Sequence, residues 1–178
     1  MDIHLNFSLT LDELRDPRLC LENFQDVVQI DTGKIKEELP GATATLALGS
    51  VGKGAANWGA DVVVILTTVA TLDGLIDLGQ RLIRLVKRLT DNGSRRQLLV
   101  RDPTTAGVLA VGAYQPCSDL AGGVIVGSWC VTGGNPGIGF DARDAWVTSV
   151  QLPDQSLVLI VTSLSGDVVG TLKVPPRV

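Results

Sequence analysis

The stretch LDGLIDLGQRLIRLVKRL, residues 72 to 89, decides how the chain is read. Leu72, Leu75, Ile76, Leu82, Ile83, Val86 and Leu89 recur at three- and four-residue spacing, opposite a row of Arg81, Arg84 and Arg88. That spacing predicts an amphipathic helix, whose apolar stripe needs a surface to cover it. Asp73 and Asp77 near its start and basic side chains at its end suit the helix dipole, and Asp91-Asn92-Gly93 is a stop signal.

Upstream, Val62 to Val69 is β-branched without a clear period, and no turn signal separates it from Asp73. Periodicity does not separate a buried parallel strand from a buried helix here; the missing turn signals favour a helix that bends near residues 71 to 74 and runs on into the amphipathic one. A second helix is expected over residues 55 to 60, where Ala55, Ala56, Gly59 and Ala60 follow the glycine-rich turn Gly49-Ser50-Val51-Gly52-Lys53-Gly54. Earlier still, Ile3, Leu5, Phe7 and Leu9 alternate with polar residues, the period of a half-buried strand. Thr10 to Glu13 has the form of a capping box, and Asp26 to Thr32 and Ala42 to Leu48 read as short strands.

Downstream of Arg95 the pattern changes to strands: 97–101, 107–114, 123–131, 145–152, 157–164 and 168–174, with 104–112 readable instead as a short helix. Pro153 to Ser156 and Ser165 to Asp167 are short enough to be hairpin turns, so the last three strands should form a meander. The whole is expected to be a single α+β domain, with an N-terminal strand-and-helix half over 1–94 and a β-rich half over 95–178. Its largely antiparallel sheet should be covered on one face by one or two central helices.

Composition narrows the function classes. Of the 178 residues 45% are hydrophobic, 4% aromatic and 19% charged, so less surface than usual can be ionised, and self-association is expected to cover part of the remainder. The net charge of −4 is unevenly spread: residues 81–101 hold seven of the fifteen basic side chains against Asp91 alone, while the first forty residues are acidic on balance. That basic run reads first as a solvated helix face and turn, lying against the chain's own acidic N-terminal segment, and second as a binder of nucleic acid or anionic membrane. No secretory leader is visible after Met1, no apolar run reaches the roughly 20 residues of a membrane span, and a cytoplasmic protein is expected. Cys20, Cys117 and Cys130 are odd in number and far apart, which predicts buried thiols rather than disulfides.

Catalytic signals are few. His4 is the only histidine and falls on an expected strand, and no Gly-x-Ser-x-Gly elbow or paired metal-ligand spacing occurs, so neither metal nor cofactor is expected. Gly49, Gly52, Lys53 and Gly54 invite comparison with a phosphate cradle. Ala47 stands where the first glycine of such a loop belongs, however, and Gly54 where its hydroxyl belongs. The residues 133–144, rich in glycine and carrying Phe140, Asp141, Arg143 and Asp144, suit a recognition loop. Trp129 and Trp146 are expected in the core. The function these features point to is non-catalytic binding or self-assembly, as a homo-oligomer or within a larger protein complex. Arg81, Arg84, Lys87, Arg88, Arg95, Arg96, Phe140 and Arg143 are its candidate contact residues.

The alternating first strand, Asp16-Pro17, Leu46-Ala47-Leu48-Gly49-Ser50 and the basic helix together resemble, over the first half of the chain, small accessory domains encoded beside effectors in bacterial conflict systems. That resemblance implies an accessory module of an effector or defence system and carries no residue roles with it.

Overall fold

The structure is a computed structural model and describes residues 2–8, 37, 39, 43–50, 58–65, 71–90, 98–131 and 144–176. Its elements in chain order are β1 (Asp2–Ser8), β2 (Thr43–Ser50), β3 (Trp58–Ile65), α1 (Leu72–Thr90), β4 (Leu98–Leu99), α2 (Pro103–Ala113), a 3-10 turn (Cys117–Leu120), and β5 (Val124–Val131), β6 (Ala145–Gln151), β7 (Leu157–Ser163) and β8 (Val168–Val174). This is an α+β chain, with its strands divided between two antiparallel four-stranded sheets in the orders β2-β3-β1-β4 and β5-β6-β7-β8. Two compact units result. One comprises residues 1–68 and 84–99, the other 69–83 and 100–178, so the single helix α1 contributes to both.

In the first unit β3 lies between β1 and β2, paired with one from Asp2↔Ile65 to Ser8↔Gly59 and with the other from Thr43↔Ile65 to Ser50↔Trp58. Residues 58–65 are therefore a strand, which corrects the buried helix expected from Val62 and the helix expected at Gly59 and Ala60. A short apolar run has no period to separate strand from helix, and β-branched residues lose less χ1 freedom on a pleated sheet than in a helix. In β1 Ile3 and Leu5 are fully buried and His4 between them is half-buried, the alternation read from the sequence. The expected capping box at residues 10–13 and the strand at 26–32 lie outside the described residues.

The second unit is built on α2. Asp102 caps it, its carboxylate accepting from the Thr105 N–H at 2.8 Å, and Pro103 opens it where a missing N–H costs nothing. Every residue from Thr105 to Gly112 is buried, so the helix is apolar all round and shows no amphipathic period. This corrects the strand expected at 107–114 in favour of the helical alternative. The crossing with α1 is close: a methyl group on Gly79 would fall on the Val108 carbonyl oxygen, and one on Gly112 would come within 2.7 Å of the Gln80 nitrogen. Only glycine permits that approach.

On its other side α2 rests on β5, β6 and β7, with Gly107 against Ser128 and Ile125. Leu72 and Ile76 of α1, Ala110 and Val111 of α2, Leu120, Val150, Leu152, Val158 and Ile160 form one buried cluster. Two polar details sit within this packing: the Ser128 and Thr148 hydroxyls share a hydrogen bond of 2.9 Å, and buried Trp146 donates from Nε1 to the Val100 carbonyl at 2.9 Å. The β6–β8 meander is as expected. Gln155 (φ 66°) and Gly166 (φ 89°) take the left-handed conformations its two turns require, and Asp154 accepts from both the backbone N–H and the hydroxyl of Ser156.

Candidate interaction surface

The second sheet has two unlike faces. Directly opposed residues of antiparallel strands share a face, so α2 covers the one bearing Ser128, Thr148, Val150, Val158 and Ile160. The other bears the row Trp129, Val147, Val161 and the row Gly127, Ser149, Leu159, Leu172. In the middle of that second face Val147, Ser149 and Val161 are buried, whereas Trp129 and Leu172 on the two outer strands are 45% and 55% exposed. A methyl group placed on Gly127 would meet nothing within 4 Å.

Three further valines extend the exposed margin: Val124 at 65%, Val126 at 63% and Val169 at 54%. Val126 and Val169 are extra residues where the ladders shift register, Val126 between Ile125 and Gly127 and Val169 opposite the step from Val161 to Thr162. A bulge of this kind re-aims a side chain and ends regular pairing along an edge. Val124, Val126, Trp129, Val169 and Leu172, the five large hydrophobics exposed among the residues whose side-chain burial is described, thus all lie on β5 and β8, the two edge strands of one sheet. Trp129 corrects the core placement expected for it, while Trp146 fulfils it.

The sequence-predicted contact residues are distributed otherwise. Leu72, Ile76 and Leu82 of the apolar stripe are buried, joined by Leu78 and Leu85, so that stripe is occupied by the chain's own core. Arg84, Lys87 and Arg88 are exposed on the opposite side of α1; Arg81 pairs with Asp77 at 2.9 Å one turn earlier, and Arg88 with Glu37 at 3.2 Å. Arg95, Arg96, Phe140 and Arg143 lie outside the described residues, as do Gly52, Lys53 and Gly54. Gly49 pairs with Gly59 across β2 and β3, and the next described element is the strand β3.

Of the cysteines expected to be buried, Cys117 is half-buried and Cys130 exposed, while Cys20 is outside the described residues. Cys117 donates to the Tyr114 carbonyl at 3.0 Å and receives the Gln80 side-chain amide at 3.4 Å. Partial burial, and secondarily the charge of Asp144, raise the Cys130 thiol above its ordinary pKa; burial and Asp119 do the same to the Tyr114 hydroxyl. Among the described residues no group of three or more His, Cys, Asp or Glu side chains is placed to hold a metal ion, and no helix is long and apolar enough to cross a membrane.

No protein-family model matches the chain, and neither does any curated protein or any solved structure.

The sequence reading missed the exposed margin of the second sheet. The strings VIVGSWCV and VVGTLKV are as apolar as the central LVLIVTS, so no signal in the sequence marked them as edges.

Proposed function

We propose that the protein acts by binding, assembling with copies of itself through the apolar margins of its second sheet. One observation carries this reading: every large hydrophobic exposed among the residues whose side-chain burial is described lies on the two edge strands of that sheet, with Trp129 among them. Large apolar side chains exposed along both edges of one sheet offer side-chain contacts to a second copy, and a tryptophan is a frequent anchor in such contacts. The weakly ionised composition and single histidine favour contact over chemistry as the role. Bulges in both edge strands, with Lys173 and the Pro175-Pro176 that follows β8, disfavour strand addition, so association proceeds by side-chain packing and gives closed oligomers rather than fibres.

Sedimentation velocity on the wild type beside a Val126→Lys, Leu172→Lys double variant tests the reading. The wild type sediments as an oligomer and the variant, with unchanged circular dichroism, as a monomer. Equal sedimentation of the two would exclude this surface.

A further inference from the structure

Three of the four sheet edges among the described residues are blunted. β5 and β8 carry bulges, and β4, at one end of the first sheet, is only two residues long. β2, at the other end, is different. Its eight residues, TATLALGS, include neither a charge nor a proline, and they pair with β3 without a shift of register from Thr43↔Ile65 to Ser50↔Trp58. Among the described residues no strand pairs with its outer side. In an antiparallel pair alternate residues turn their N–H and C=O groups toward the partner, so half of the β2 backbone groups are bonded to β3 and the other half point outward along an unbroken edge.

We infer that β2 receives an extended segment of another protein, which adds to the first sheet as a further strand. Composition favours this occupant over a second copy of β2. Only Thr43 and Thr45 of its residues are β-branched, whereas the strand it already accepts, β3, carries Val62, Val63, Val64 and Ile65 in succession. Cross-strand pairs gain most from β-branched and aromatic residues, so β2 is a weak partner for itself and a better one for a β-branched strand. Register supplies the pattern: Ala44, Leu46 and Leu48 oppose Val64, Val62 and Ala60, which in turn oppose Ile3, Leu5 and Phe7, and of these Ile3 and Leu5 are fully buried. The incoming segment is therefore proline-free, β-branched, and apolar where it opposes Ala44, Leu46 and Leu48.

Amide hydrogen exchange of the wild-type chain, read by NMR with and without a synthetic peptide, tests this. The probe is the β3 sequence from Trp58 to Ile65 with lysines added at both ends for solubility. In the free protein alternate amides of residues 43–50 should exchange fast, and saturating peptide should protect those amides while leaving their already protected neighbours unchanged. A peptide carrying Val62→Pro and Val63→Pro lacks a donor on whichever side faces β2, and should bind about tenfold or more weakly by fluorescence anisotropy. Protection of the alternate amides in the free protein, by a second copy or by the chain itself, would overturn the inference. So would equal binding of the two peptides, or protection that appears elsewhere than on β2 or not at all. The Val126→Lys, Leu172→Lys variant should bind the peptide as the wild type does, which keeps this result separate from self-association through the second sheet.

Discussion

The central strands β6 and β7 and the outer strands β5 and β8 of the second sheet are equally apolar in sequence, yet they use that character differently. Val150, Val158 and Ile160 on the inner pair are sealed beneath the helices, whereas Val124, Val126, Val169 and Leu172 on the outer pair face solvent. Hydrophobic residues at the centre are committed to folding the chain. Those at the margins contribute little to that and are free to stabilise a contact with another molecule.

The largest expected effect breaks the comparison at its centre. Ile160→Ala removes a fully buried side chain from the cluster shared with Leu72, Ile76 and Ala110, and should cost about 2–5 kcal/mol in urea denaturation. Leu172→Ala, the same kind of truncation on β8, should cost less than about 0.5 kcal/mol, measured under conditions where the protein is dissociated. Similar losses at the two positions would erase the distinction between centre and margin.

A middle-sized effect sharpens the account of the covered face. Thr148 is fully buried and its hydroxyl is bonded to that of Ser128, so Thr148→Val leaves the Ser128 hydroxyl without that partner beneath α2. A loss of roughly 1–2 kcal/mol is expected from thermal or urea unfolding, whereas Thr171→Val on exposed β8 should be close to neutral.

The smallest effect concerns the turn that joins the two central strands. The Ser156 hydroxyl and backbone N–H hold the Asp154 carboxyl below the ordinary carboxylate pKa. Because folding lowers that value, the contribution to stability is present at pH above the ordinary carboxylate range and fades as the pH falls through the lowered one. An NMR titration should place Asp154 below its usual value in the wild type and bring it upward in Ser156→Ala, since one of the two hydrogen bonds is lost.

Elements with a clear period were legible in the sequence. The stripe of α1 and the alternation of β1 repeat at the spacing their burial imposes, and the meander of β6 to β8 was legible from the short turns Pro153 to Ser156 and Ser165 to Asp167. Two elements without a period were misread. β3, flanked on both sides within its sheet, reads as an apolar run that fits a buried helix, and α2, buried all round, reads as an apolar run that fits a strand. For α2 the deciding signal was Asp102-Pro103, a capping carboxylate before a first-turn proline.

The candidate surface was harder to see. Residues 124–131 and 157–163 look alike as strings, and only the strand order β5-β6-β7-β8 makes one an edge and the other a centre. Nor could spacing reveal that Arg88 faces Glu37, because that pairing is a product of the tertiary fold. The apolar stripe of α1, the plainest docking feature in the sequence, was legible as a buried face without revealing that the chain itself buries it.

Static light scattering of the wild-type chain from micromolar to millimolar concentration tests the central claim most directly. Self-association through the margins of the second sheet predicts a weight-average mass that climbs above the 18.7 kDa of one chain and levels off at a small multiple of it. A mass fixed at 18.7 kDa across the whole range would contradict it.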